Sequence, residues 1–133
     1  LARNISKLPP APDRATAVFH DPCYLGRYQG IYDAPRSVAS SAFRLIETDR
    51  SRETSFCCGA GGGLVFLGEE KGTRISHERA RQLLDTGAET IAAACPFCQT
   101  MLGDALEALQ PGRSGQLKDI AEIAASRLGP AAM

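Results

Sequence analysis

The feature that most constrains this chain is the placement of its cysteines. There are five, at Cys23, Cys57, Cys58, Cys95 and Cys98. They form a single residue, an adjacent pair and a C-x-x-C, and each group is expected just past the end of a short β-prone run. "ATAVFH" at 15–20 is apolar and leads through Asp21 and Pro22 to Cys23. "TIAAA" at 90–94 leads directly into "CPFC". A short strand is also expected before Cys57, after the polar turn "ETDRSRETSF".

Helical patterns lie between these runs. "RSVASSAFRLI" at 36–46 places Val38, Ala42, Leu45 and Ile46 at helical spacing, with Pro35 in its opening turn. "EEKGTRISHERARQLLDTGA" at 69–88 carries Ile75, Ala80, Leu83 and Leu84 and ends at Gly87. Further helices are expected at 99–109 and 117–128, while 24–36 reads as a loop and 1–14 as a Pro-rich linker or tail. Strand and helix therefore alternate. That predicts an α/β fold with a mostly parallel sheet flanked by helices. In such sheets, sites form beyond the carboxyl ends of the strands, so the three cysteine groups are expected to converge on one edge.

Length and charge narrow the function. The 133 residues suit one domain, expected over 15–133, and formal net charge is zero. A nucleic-acid partner would call for a basic excess, which is missing. No apolar run is long enough to span a membrane, and none of its opening residues reads as a signal peptide, so none is expected. A reducing, cytoplasmic location is expected, and there cysteine clusters bind metal or do redox work. The chain opens at Leu1, not Met, and is expected to be the C-terminal part of a larger redox protein.

A C-x-x-C grips one metal centre, yet it also suits a thioredoxin-like pair. Five thiolates exceed the four of a tetrahedral zinc site or a simple cubane. A larger iron–sulfur assembly could use all five, with Cys57 and Cys58 reaching different irons. Gly59, Gly61, Gly62 and Gly63 let the backbone adopt positive φ and point amides at cluster sulfides. A structural zinc site using four of the cysteines, in a non-catalytic interaction domain, is the alternative.

Other residues near these motifs have two readings each. His20 could ligate metal or donate a proton, or simply hydrogen-bond backbone at a strand end. His77 sits on a charged helix face. Asp21 fits an Asx-type turn. Tyr24, Tyr28 and Tyr32 could line a cleft or pack a loop. Arg27 and Arg36 could neutralise an anion or stay solvated. The glycine loop lacks a phosphate-binding signature, and Lys71 lies too far along to supply one.

Taken together, "HDPCYLGRYQGIYDAPR", "CCGAGGG" and "CPFCQTML" resemble the cysteine-rich CCG domain, over about residues 16–128. That family occurs, often in tandem, in the B subunit of heterodisulfide reductase. It also occurs in iron–sulfur subunits of glycolate oxidase, glycerol-3-phosphate dehydrogenase and lactate-utilisation systems. The resemblance implies an iron–sulfur redox domain that relays electrons, with disulfide reduction in the heterodisulfide reductase relatives. It implies that Cys23, Cys57, Cys58, Cys95 and Cys98 hold a 4Fe-4S centre of the non-cubane kind. Implied partners are a second CCG domain, ferredoxin-like clusters or a flavoprotein, with any membrane association made through them.

Overall fold

A computed structural model describes Asn4 and residues 15–60, 75–112 and 116–128. The expected linker at 1–14, apart from Asn4, and Gly61, Gly62, Gly63 and Lys71 lie outside the described residues.

Among the described residues, four strands form one sheet: β1 (Thr16–Phe19), β2 (Arg44–Ile46), β3 (Thr90–Ala93) and β4 (Leu117–Asp119). Its order is β2-β1-β3-β4 and every pairing is parallel. Four described helices accompany it: α1 (Asp33–Ala42), α2 (Ile75–Leu84), α3 (Pro96–Leu109) and α4 (Ile120–Leu128). The expected α/β architecture is therefore present.

The strands alternate their side chains between two cores. Val18 pairs with Ile91 and faces α2 and α3, where Ala80, Leu83, Leu102 and Leu106 are buried. Phe19 pairs with Ala92 and faces α1 and α4, against Val38, Ala39 and Ile123. Both faces of the sheet are thus covered, which explains why the strands read as continuous apolar runs and not as alternating ones. Each fully buried Leu or Ile contributes about 1.5–3 kcal/mol of transfer free energy.

The strand order places a topological switch point between β1 and β3. From β1 the chain crosses to β2 on one side, then returns past β1 to β3 on the other. The two connections diverge from there, and a crevice opens beyond the carboxyl ends of the strands. The His20 amide donates to the Ala92 carbonyl at 2.9 Å, which holds those two ends together.

Three expectations change. The helix expected over 36–46 stops at Ala42, and Arg44–Ile46 pairs with Thr16–Val18 as β2. Leu45 and Ile46 fit a helical stripe, but the sheet edge offers their backbone a ladder of hydrogen bonds and partly covers both side chains. Likewise Leu117–Asp119 is a strand, beside β3, before α4 begins. No strand leads directly into Cys57. The chain there makes a 3₁₀ turn, Arg52–Thr54, and reaches Cys57 as irregular backbone.

Candidate functional site

The C-x-x-C is carried by a strand-to-helix junction. Cys95 is the extended cap residue of α3 (φ −147°), and Pro96 occupies the first helical position, where its missing N–H costs nothing. Cys95 accepts the Gln99 amide on its carbonyl. Cys98 then falls in the first turn and is buried. On the neighbouring strand, His20, Asp21 and Pro22 lead from β1 into a tight coil. That coil is closed by Gly26 N–H to the Pro22 carbonyl and Tyr28 N–H to the Cys23 carbonyl.

The 55–59 segment has no such element beneath it and is held by side chains. Asp21 accepts the Arg52 amide at 2.8 Å, and Arg52 takes up a left-handed φ of 53° to make that bond. A non-glycine residue there stores strain that surrounding contacts must sustain. Arg27 donates to the Ser55 carbonyl, and the Arg50 guanidinium lies over the Phe56 ring. Gly59 has φ +93°, and a Cβ on it would meet the Ser76 amide at 3.2 Å. Its own amide points at Cys57 Sγ, 3.2 Å away.

These segments meet in one cleft, lined by His20, Cys23, Arg27, Arg52, Ser55, Cys57, Cys58 and Cys98 among others. A ring nitrogen of His20 and the sulfurs of Cys58 and Cys98 all lie within 4.8 Å of one another, and all three residues are buried. Cys95 is not part of the lining. It is partly buried against the adjacent core, one turn before Cys98. None of the five cysteines is joined in a disulfide.

Two arginines support the cleft from inside the protein. Arg36 is buried and makes a bidentate pair with Asp21 at 2.6 and 2.7 Å. It also bonds Glu47 and the Tyr32 carbonyl, with its guanidinium over Phe19. Burial works to lower its pKa, but the bonds from Asp21 and Glu47 prevail and raise it. Arg36 therefore neutralises Asp21 and is not offered to a ligand, and Asp21 is an ion-pair partner instead of an Asx turn. Arg79 is fully buried on α2. It bonds His20, Ser55, the Arg50 carbonyl and Gln82. Sequence reading passes over Arg79, yet a signal is present. Ser76, Arg79, Ala80 and Leu83 form the i, i+3, i+4, i+7 inward stripe of α2, and an arginine in such a stripe requires buried partners.

Residues 17–103 match the sequence profile of the cysteine-rich CCG domain. The chain belongs to that family. It is 43% identical over 127 residues to a probable iron-sulfur-binding oxidoreductase, FadF, of Bacillus subtilis, covering 94% of this chain and 18% of the relative. It is 40% identical to an EtfAB:quinone oxidoreductase of Syntrophomonas wolfei, covering 86% and 17%. It is 38% identical to a component of the dihydromethanophenazine:CoB–CoM heterodisulfide reductase of Methanosarcina barkeri, covering 89% and 29%. The chain thus spans less than a third of the length of these relatives.

Within this CCG domain the thiol electrostatics are uneven. A hydrogen bond with Cys57 lowers the Cys58 pKa, but one with Cys98 and burial together outweigh it and push the thiol up to about 11. Cys58 is therefore protonated in the metal-free chain and must release its proton to bind a cation. Tyr24 and Tyr28 are exposed and their rings meet at a 39° tilt, 5.5 Å between centroids, outside the cleft. Tyr32 caps α1 and sits beside Gly26. His77 is half-buried on α2, away from the cleft lining. No helix among the described residues is long and apolar enough to cross a membrane.

Proposed function

We propose that this CCG domain holds an iron–sulfur centre in the cleft at the β1–β3 switch point and relays electrons within a larger oxidoreductase. The observation that carries this is the convergence of Cys23, Cys57, Cys58 and Cys98 on one cleft, with Cys95 a turn from Cys98. The donor set fits the group: soft sulfur ligands suit iron–sulfur centres. Arg27 and Arg52 on the lining and the Gly59 amide aimed at Cys57 offset the negative charge that thiolates bring. The names of the relatives, an iron-sulfur-binding oxidoreductase and a heterodisulfide reductase, support the same reading.

Cys23, Cys57, Cys58, Cys95 and Cys98 would be its ligands, with the amides of Gly59, Gly61 and Gly62 beside them. When bound, the centre supplies one-electron transfer. The chain's own residues supply thiolates, N–H donors and a partly buried wall. Five ligands favour a non-cubane 4Fe-4S centre over a simple cubane. The rest of the longer protein would provide the neighbouring redox groups, a second CCG domain, ferredoxin-like clusters or a flavoprotein. Five cysteines outside any disulfide suit a reducing cytoplasm.

Anaerobic loading with iron and sulfide tests this. A brown chain with about four irons is expected for such a centre, and Cys58→Ser should change the spectrum and lower the iron content. A colourless chain that takes up zinc alone would favour a second reading, a structural zinc site using four of the cysteines, for which the four sulfurs lining the cleft are the specific support. A relay should reduce small disulfides slowly by itself, and rapid turnover would make the domain a catalytic unit.

A further inference from the structure

The triad of His20, Cys58 and Cys98 has the spacing of a metal site. Its histidine, however, has the wrong partner behind it. A metal-ligating histidine ordinarily donates its second ring N–H to a carboxylate or carbonyl, which leaves the other nitrogen's lone pair free for the metal. Here the second partner is itself a donor. Arg79 Nε lies 2.9 Å from His20 Nδ1, and a guanidinium has hydrogens to give and no lone pair to offer. Nδ1 must therefore be the acceptor, and the ring's one hydrogen sits on Nε2.

Arg79 has no room to yield. It is 0% exposed, and its other nitrogens bond the Arg50 carbonyl at 2.9 Å, Gln82 Oε1 at 3.0 Å and Ser55 Oγ at 3.2 Å. For Nε2 to bind a metal, the ring would have to lose its only hydrogen, or move it to Nδ1 against the Arg79 N–H. The first makes an imidazolate and the second sets two donors face to face in a dry interior, which costs the full penalty of unmet polar groups.

We propose that Arg79 locks His20 in its Nε2–H tautomer, so that neither ring nitrogen offers a lone pair to a metal and His20 stays out of the ligand set. That exclusion deepens the iron–sulfur reading and rests on it, whereas the tautomer belongs to the metal-free chain. With the Arg79 Nε–H pointing at it, Nδ1 must keep its lone pair, so the ring stays neutral with one hydrogen. Arg79 itself, lowered by burial to about 10, still carries its charge at neutral pH.

The test starts with the metal-free chain. Long-range ¹⁵N–¹H correlation spectra of the histidine rings, with His77→Gln to assign the two, should show pyrrole-type Nε2 and pyridine-type Nδ1 in His20. A pyrrole-type Nδ1, or the averaged shifts of a freely exchanging ring, overturns the proposal. Arg79→Lys should release the lock and produce those averaged shifts; if that variant does not fold, the wild-type spectrum decides. X-ray absorption of the chain loaded with iron and sulfide, or with zinc, should show no nitrogen in the coordination shell, and a nitrogen at bonding distance overturns the exclusion of His20 from the ligand set. If the chain loads no iron, the function reading fails and the spectrum and the zinc-loaded sample still decide the lock.

Discussion

Two segments bring most of the cysteines to the cleft, and they are built in opposite ways. The 95–98 segment is carried by regular structure: β3 points at the cleft, Pro96 opens α3, and Cys98 enters with the first helical turn. The 55–59 segment is carried by side chains from distant parts of the chain, with Asp21, Arg27 and Arg79 each bonding to it or to the turn before it across 24 to 34 residues. The first needs only local geometry and an apolar helix face. The second needs a buried polar network in which every member has a partner, and such networks fail as units.

The comparison is broken most directly at Asp21. Its carboxylate binds Arg36 twice and the Arg52 amide once. Asp21→Ala leaves the buried Arg36 with only the half-exposed Glu47 as an ionic partner and frees the strained turn at Arg52. Removing one partner of a buried pair costs about 3–5 kcal/mol, so chemical denaturation of the metal-free domain should show a loss of that order. Hydrogen exchange should rise in residues 51–58 before it rises in α3.

Acid probes the same network. His20 keeps a folded pKa of about 3 against 6.5 unfolded, chiefly through burial. The unfolded chain binds a proton over that window and the folded chain does not, so this contribution is complete above pH 6.5 and is lost as pH falls toward 3. The slope is about 1.4 kcal/mol per pH unit for one proton. Denaturation of the metal-free chain from about pH 7 to about pH 5 should follow this slope more steeply in the wild type than in His20→Gln. Equal slopes would remove His20 from the acid response.

Gly59 sharpens the contrast at the backbone. Its φ of +93° strains any L side chain, and a Cβ would press on the Ser76 amide at 3.2 Å. Gly59→Ala should cost about 1–3 kcal/mol, the range for strained backbone. It should also reduce iron retention, because the amide aimed at Cys57 would turn away. Iron content and thermal stability measured together separate the two effects, and full retention would show that this amide does not serve the centre.

The same division explains what could be read from the sequence. The sheet, the α3 junction and the convergence of cysteines at an edge follow from apolar runs and C-x-x-C spacing, which are local signals. β2 and β4 escape such a reading because three-residue strands fit a helical stripe equally well when only neighbours in sequence are considered. The strand expected before Cys57 fails for a related reason. "RETSF" has β-prone residues, but Asp21 captures the Arg52 amide and turns the chain instead. Arg36 and Arg79 carry charges that look solvated in isolation. Only tertiary packing shows that one neutralises Asp21 and the other sits behind His20.

A pair of hydroxyl deletions makes the finest cut between the two segments. Ser55 Oγ accepts from buried Arg79 at 3.2 Å and lies 3.4 Å from the Asp21 carbonyl. Thr100 Oγ1 merely bonds back to the Pro96 carbonyl on the exposed side of α3. Both are single hydroxyls within a few residues of a cysteine, so sequence alone ranks them alike. Ser55→Ala leaves a charged donor in the interior short of one acceptor, and should cost about 0.5–1.5 kcal/mol or somewhat more. Thr100→Ala removes a bond that the helix does not need and should stay within about 0.5 kcal/mol of wild type. Urea midpoints of the two variants, at unchanged m-value, read the difference. If Thr100→Ala proved as costly as Ser55→Ala, the helix-borne segment would depend on side-chain bonds as much as the loop does, and the contrast between them would not hold.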